Sequence, residues 1–469
     1  MPKIEKLRKK HPQFVYKNYG WNISDKGLEI FFDFQMAPDI NFKPAVTIEN
    51  VSQKDLARIG EDALNRLVFN LGMAEIASYW KSACPPEIII EAGHLDAEQK
   101  KWWRWLLMNG LGQFFYENKI DPYKPGFLKI ISAGPGPKKL PSKKYSSPND
   151  RIMVPIGGGK DSAVTLEILA KAEKDILCFC LNPSEESLAV AKAAGNYNCA
   201  IARRTIDKKL IELNQQGYLN GHTPFSAYLA FLTTLAAALF NCRHIAVSNE
   251  ASSNEATLKY LGKNINHQWS KTFSFERSFR TYSQKYLPAE TDYFSFLRPL
   301  HEIQIAKIFA KFEKYHPLFM SCNEAYKTCS GEKVPTKKWC ANCSKCLFAF
   351  IVLYPFMDEE KIIKIFGQNL FENKDLLKTA KELTGERPMK PLECVGTRKE
   401  SRAAFYLSLV KFCQGSPDSK LPALLVHFGK KIAAKNKNLD KEAKEVFKNW
   451  DKKNNLPGGL KDLLAGYSK

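Results

Sequence analysis

The middle of this 469-residue chain predicts an α/β fold, a doubly wound parallel sheet with helices on both faces. Three observations predict it. From residue 151 onward, short apolar runs alternate with helical patterns, strand then helix, and close on a fourth strand. The first run, "RIMVPI", reads as a buried strand, as a sheet covered on both faces requires. A glycine-rich turn, Gly157-Gly158-Gly159, joins the first run to its helix, where such sheets place a ligand loop.

Taken in order, residues 1–132 read as an N-terminal α+β domain. "FVYKNYGWNISDKGLEIFFDFQM" (14–36) sets two aromatic-rich runs around "SDKG" and predicts a hairpin. "DLARIGEDALNRLVFNLGMAEIASYW" (55–80) and "DAEQKKWWRWLLMNGLGQFFYENK" (96–119) carry helical periodicity. Trp102, Trp103 and Trp105 could stack bases, but core with a half-exposed rim outweighs that reading. "AGPGPKKLPSKKYSSPND" (133–150) has linker composition.

Residues 151–320 form the sheet domain, with strands "RIMVPI", "ILCFCLN", "CAIARRTID" and "HIAVSNE" and helices over 161–173, 184–195 and 224–241. A cysteine-rich segment spans 321–356, and a lysine-rich helical region spans 357–469. No internal repeat is visible. "PFSAYLAFLTTLAAALF" is short for a membrane span and reads as a buried helix. "MPKIEKLRKKHPQF" develops no apolar leader, so a soluble cytoplasmic protein without a membrane partner is expected.

The net charge is +21, which fits a nucleic-acid partner, lysine-rich solvated faces, or a small polyanion such as a nucleotide sugar. Charge alone does not choose. Seven of the twelve cysteines are scattered (Cys84, Cys178, Cys180, Cys199, Cys242, Cys394, Cys413), and five fall between 322 and 346. Scattered thiols suit a reducing compartment, and the cluster suggests a metal.

At the glycine turn the backbone can approach an anion closely, and a helix starting at Lys160-Asp161-Ser162 adds its positive end. Lys160 offers a mobile charge and Ser162 a hydroxyl. Asp161 beside an anion implies a magnesium-bound phosphate. Lys160 is followed by Asp, so the kinase-type G-x-x-x-x-G-K-[ST] loop is absent. Gly157-Gly158-Gly159-Lys160-Asp161-Ser162 resembles the Ser-Gly-Gly-x-Asp-Ser signature of PP-loop ATP pyrophosphatases, of adenine nucleotide alpha hydrolase-like fold. Gly157 stands where most members carry Ser. The resemblance implies ATP cleaved to AMP and pyrophosphate.

Cys340-x-x-Cys343-x-x-Cys346 can close on one metal, with Cys322 or Cys329 as the fourth ligand. "SCN…WCxxCxKC" resembles the zinc-binding arrangement of 7-cyano-7-deazaguanine synthase, which favours Cys322 and a structural zinc. An iron–sulfur cluster is the rival.

Beyond the fourth strand, Asn249, Glu250, Ser252 and Asn254 can reach magnesium or substrate, and Asn266, His267, Gln268, Ser270 and Lys271 form a second polar set. Arg298 precedes a helix whose first turn carries Glu302. "KPLECVGTRKESRAAF" places Lys390, Glu393, Cys394, Gly396 and Glu400 around a tight turn. Singly, each residue is as readily a solvated loop position.

Together, "GGGKDS", "SNEAS…NHQWSKTFSFE", "FLRPLHEIQIA", the cysteine cluster and "KPLECVGTRKE" resemble the UDP-N-acetylmuramoyl-L-alanyl-L-glutamate epimerases, the MurL family, from about 150 to 405. The resemblance implies inversion of the terminal L-glutamate of UDP-MurNAc-L-Ala-L-Glu, with ATP and magnesium, for peptidoglycan. Adenylating the α-carboxylate removes its charge and makes the α-proton removable, so an ATP pyrophosphatase loop suits an epimerase. On that basis Gly157, Gly158, Gly159 and Ser162 hold pyrophosphate, with Asn249 nearby. Asp161 positions magnesium and Lys160 balances charge. Asn266, Gln268, Ser270, Lys271 and Arg298 meet substrate, while His267, Cys394 and Glu250 are the proton-transfer candidates. The alternatives are a tRNA-modifying PP-loop enzyme and a zinc-held RNA-binding module. The intact Lys-Asp-Ser argues against the module, and nucleic acid is not the expected partner.

Overall fold

The computed structural model describes residues 3–135, 149–195, 197, 199–288, 290–325, 339–415 and 420–468. Its strands are β1 (Gln13–Ser24), β2 (Gly27–Met36), β3 (Ile40–Phe42), β4 (Ala45–Ile48), β5 (Glu87–Ile90), β6 (Lys129–Ser132), β7 (Ile152–Pro155), β8 (Ile176–Leu181), β9 (Cys199–Thr205), β10 (His244–Val247), β11 (Leu258–Tyr260), β12 (Lys263–Ile265) and β13 (Asp292–Ser295). Eleven join one sheet in the order β13-β10-β7-β8-β9-β4-β2-β1-β5-β6, with β3 against β2, while β11 and β12 pair separately.

The half from β13 to β9 is parallel throughout. From β7 the chain steps outward through β8 to β9, then returns to lay β10 and β13 on the opposite side. The strand order therefore reverses between β7 and β10. Loops leaving the carboxyl ends of those two strands part there and open a crevice.

The hairpin expected at 14–36 forms, closing on a Ser24–Gly27 pair. β4 then pairs antiparallel with β9, so the N-terminal strands continue the same sheet rather than building their own. The helix expected over 55–80 is interrupted at Gly60 (φ +80°), giving Gln53–Ile59 and Glu61–Trp80. Most of the expected linker, residues 136–148, lies outside the described residues.

Alternation along the strands sorts the core into two. Met153, Phe179, Ile245 and Tyr293 face one side, with Trp80, Trp103, Phe231 and Tyr282. Val154, Cys178, Ala246 and Phe294 face the other, with Leu166, Ile303, Phe350 and Phe405. The helix Phe225–Leu239 covers the first face and Lys160–Lys171 the second. The tryptophans pack: Trp103 donates to the Tyr282 hydroxyl at 3.0 Å, Trp102 stacks on Tyr282 at 4.2 Å, and Trp105 meets Trp269 edge-on at 4.7 Å. Among the described residues, no helix is long and apolar enough to cross a membrane.

One ion pair ties the N-terminal helix to the parallel half. Arg204 of β9 grips Glu75 at 2.5 and 2.9 Å, donates to Ser78 at 2.9 Å, and lies 4.8 Å from the Tyr228 ring centre. Breaking a buried pair strands the remaining charge. Glu75→Ala should therefore lower unfolding stability by about 3–5 kcal/mol in urea titrations, whereas a loss below about 1 kcal/mol would mean the pair is solvated.

Candidate active site

β7 delivers the chain to Gly157, and the helix begins at Lys160. Gly158 has φ +81°, and a Cβ there would stand 3.0 Å from the Ser187 nitrogen, so only glycine keeps this path. Gly157 faces open space, so packing does not impose its departure from the usual serine. Gly159 caps the helix without a side-chain hydrogen bond. The first N–H groups of the helix lack intrahelical partners, which leaves an anion-binding end. The Ser162 hydroxyl donates to the Gly159 carbonyl at 3.0 Å and so braces the loop.

Behind the loop lies a buried charge group. The Lys160 ammonium is bonded to both Asp161 and Glu302. Burial alone would lower the Lys160 pKa, but Asp161 and Glu302 outweigh it and raise it. Asp161, Glu250 and Glu302 each bring a carboxylate oxygen within 4.8 Å of the others. Burial, then Glu302 and Asp161, push Glu250 up to about 8. Burial, then Asp161, also raises Glu302. Asp161 is lowered because Lys160, Lys345 and Lys271 outweigh its burial. Three crowded carboxylates offering hard oxygen ligands fit a divalent cation such as magnesium.

The polar segment after β10 divides into braces and presenting groups. Arg298 is fully buried and spends its donors on Glu276, Ser253, Ser295 and the carbonyls of Glu250 and Lys271. The expectation that Arg298 meets substrate is thus corrected: its guanidinium has no donor to spare, and it clamps the backbone of two site residues. Asn266 is likewise turned inward, donating to the Ser253 carbonyl and accepting from the Gln268 N–H, both at 2.7 Å. Asn249 donates to Ser295 at 3.1 Å, and Ser270 is buried. Gln268 donates to the Val395 carbonyl at 3.2 Å, while its Oε1 is buried without a protein partner. Such an orphaned acceptor suits a bound donor.

Lys271 points at the third segment, with Nζ 3.4 Å from Cys394 Sγ. Burial would push the Cys394 thiol up, but Lys271 first, then His267 and Lys345, hold it well below the ordinary thiol value. Lys271 is raised in turn, chiefly by Cys394. The Cys394 loop closes against the helix Ser344–Leu353 because residue 396 is glycine: a Cβ there would stand 2.6 Å from the Phe348 ring.

The Cys322, Cys340, Cys343 and Cys346 sulfurs lie within 4.8 Å of one another, a donor set that fits zinc. Cys329 lies outside the described residues. Lys345, inside the cluster, donates its backbone N–H to the Glu393 carboxylate at 2.8 Å and its Nζ to the Cys394 carbonyl at 2.6 Å. The sulfur cluster therefore holds the Cys394 loop in place.

Sequence patterns pointed to the glycine loop, Glu250, His267, Lys271 and Cys394; Lys271 contacts Cys394, and Arg298 ties the Lys271 backbone to that of Glu250. Patterns gave Glu302 no more than a place on a helix. They missed Lys345, whose only signal was its place between two cysteines, and Gln113, which lies 2.5 Å from His267 without any motif.

The site is that of a mixed α/β protein whose glycine loop, carboxylate group and cysteine loop meet at a sheet crossover. The chain belongs to the MurL family: residues 5–296 match the MurL N-terminal domain and 318–441 the MurL C-terminal domain. It is similar to three proteins named UDP-N-acetyl-alpha-D-muramoyl-L-alanyl-L-glutamate epimerase. Identity to that of Xanthomonas oryzae pv. oryzae is 36%, covering 70% of this chain and 71% of the relative. Identity to that of Micromonospora sp. is 32%, covering 84% and 86%. The Salinispora tropica protein is 32% identical over 88% of both chains. Both matched domains supply the site, Lys271 from the first and Cys394 from the second.

Purified protein should carry about one zinc equivalent by elemental analysis. Cys346→Ser should lose the metal and most activity together. Stoichiometric iron with visible cluster absorbance would replace zinc with an iron–sulfur centre, and a metal-free, fully active protein would remove the cluster from the account.

Proposed function

We propose that this chain is an ATP-dependent isomerase that inverts the terminal L-glutamate of UDP-MurNAc-L-Ala-L-Glu to D-glutamate. The route proposed is an acyl-adenylate, with release of AMP and pyrophosphate, in cytoplasmic peptidoglycan precursor synthesis. The observation that carries it is the closeness of a phosphate-type glycine loop to a Lys271–Cys394 pair: Lys271 bonds Cys394, and its charge acts on Asp161 at the start of the loop's helix. One half suits carboxylate activation and the other suits proton transfer. The names of the relatives support this reading and do not support the tRNA-modifying alternative.

In this reading the parallel half of the sheet is a doubly wound PP-loop domain. Gly157, Gly158 and Gly159 with the helix end accept the pyrophosphate of ATP. Asp161, Glu250 and Glu302 would hold magnesium, which supplies charge neutralisation at the phosphates. Lys160 keeps the carboxylates paired and in place. Lys271 attracts a substrate carboxylate, and the orphaned Gln268 Oε1 accepts a substrate N–H. Once the α-carboxylate is masked, the α-proton is the group to move. Cys394, held as thiolate beside Lys271, removes it. His267 exchanges that proton with Cys394. A proton from solvent reaches the opposite face of the α-carbon to complete the inversion, and water then releases AMP from the acyl-adenylate. Glu250 stands with the carboxylates rather than with this pair. The fourfold sulfur site would supply structural rigidity through zinc.

Incubation with UDP-MurNAc-L-Ala-L-Glu, ATP and magnesium should yield D-glutamate on chiral analysis and AMP in step with it. Asp161→Asn should abolish both products. Cys394→Ser should lose about 10²–10⁴-fold in inversion yet keep substrate-dependent exchange of pyrophosphate into ATP. Absence of D-glutamate and AMP with the intact protein would overturn the proposal.

A further inference from the structure

The N-terminal region reaches the site through Gln113. Gln113 lies on the helix Gly112–Glu117 and is 6% exposed. Its Nε2 donates to Glu117 Oε1 at 2.9 Å, and its Oε1 lies 2.5 Å from His267 Nδ1. The Glu117 carboxylate can only accept, so the amide NH₂ must face it and the amide oxygen must face the ring. Nδ1 of His267 must therefore carry a hydrogen, in both the neutral and the protonated ring. Nε2 is left free to take a proton in the neutral ring, and His267 is among the groups that hold the Cys394 thiol low.

We propose that Gln113 is a positioning residue that fixes the tautomer and orientation of His267, so that Nε2 receives and returns the proton of Cys394. The proposal rests on the epimerase reading for its role in turnover, but not for its effect on Cys394. By accepting the Nδ1 hydrogen, Gln113 stabilises the imidazolium that forms when the Sγ proton passes to Nε2. The sulfur keeps its electron pair as thiolate, and no electrons change hands.

The surroundings are arranged for that exchange. The His267 backbone N–H is tied to Thr257 Oγ1 at 3.0 Å. The His222 ring packs against His267 with centroids 4.7 Å apart, and its Nδ1 is buried without a protein partner. Burial, then His267 and Lys81, push His222 down to about 3, so it adds no charge near neutrality. The charged and titratable groups acting on the pair are Glu393, Cys394, Lys271 and Lys345, with Lys81 behind His222.

The test uses the full, metal-loaded chain with Gln113→Met and with the swapped pair Gln113→Glu and Glu117→Gln, following iodoacetamide labelling of Cys394 against pH by peptide mass spectrometry. Exposed Cys413 serves as internal reference. Gln113→Met should move the pH midpoint of Cys394 labelling upward by about one unit, a roughly tenfold slowing below that midpoint that is recovered above it, with Cys413 unchanged. Gln113→Glu combined with Glu117→Gln keeps an acceptor on Nδ1 and a donor–acceptor pair between residues 113 and 117, and should label no more slowly than wild type. In turnover, Gln113→Met should lower kcat by about tenfold or more while KM holds within about twofold, and the swapped pair should keep most of it. Unchanged labelling in Gln113→Met, or equal loss in both variants, overturns the proposal. Labelling that behaves as expected in a protein without epimerase turnover would sink the functional reading alone.

Discussion

A buried ammonium organises this molecule. Lys160 begins a helix at the end of a parallel strand and pairs with its neighbour Asp161 and with Glu302, a residue far along the chain. Glu302 is brought there by the helix Glu302–Phe309, whose start is held by Ser252 and Glu400: the Glu302 N–H donates to Ser252 Oγ at 3.1 Å, and the Ile303 N–H to Glu400 at 3.2 Å. Glu400 also receives the Thr397 N–H at 2.8 Å and stands 3.6 Å from His301. One buried charge thus fixes the glycine loop, the segment after β10 and the C-terminal helix relative to each other. Removing any partner would strand the others in a low-dielectric interior.

The same constraint sets the electrostatics of the crevice. On one side, three carboxylates crowd around Lys160. On the other, a thiol is held low by Lys271 and His267. Lys271 feels both, raised by Cys394 and by Glu250. Its own backbone is clamped through its carbonyl by Arg298, so the ammonium is delivered from a rigid position. The sulfur cluster acts at one remove, through Lys345. The formal +21 charge is spread along the chain, +8 of it in residues 357–469, while the cations that shape the site are few and buried.

Much of this was legible in the sequence where the determinants are local. Apolar runs of strand length, the glycine turn and the two-residue cysteine spacing each encode their own geometry, and the strand–helix alternation from 151 onward forms as read. What was hidden depends on partners distant in the chain. The antiparallel joining of β4 to β9 leaves no mark in either strand, so the N-terminal region read as separate. Arg298 looked like a ligand-binding cation because an arginine before a helix carries no sign of how many carbonyls will surround it. Gln113 sits in an ordinary amphipathic helix, and only the fold places it on His267. Cys394 was visible as a thiol in a tight turn, but its low pKa comes from lysines supplied by two other segments.

The claim that binds the loop to the cysteine is that the substrate carboxylate is activated before its α-proton moves. Turnover of substrate carrying ¹⁸O in the α-carboxylate of its terminal glutamate measures this directly, by mass spectrometry of the nucleotide product. Adenylation followed by water attack at the carbonyl carbon places one labelled oxygen in the phosphate of AMP for each glutamate inverted. Inversion with unlabelled AMP, or with ADP as the product, would contradict it.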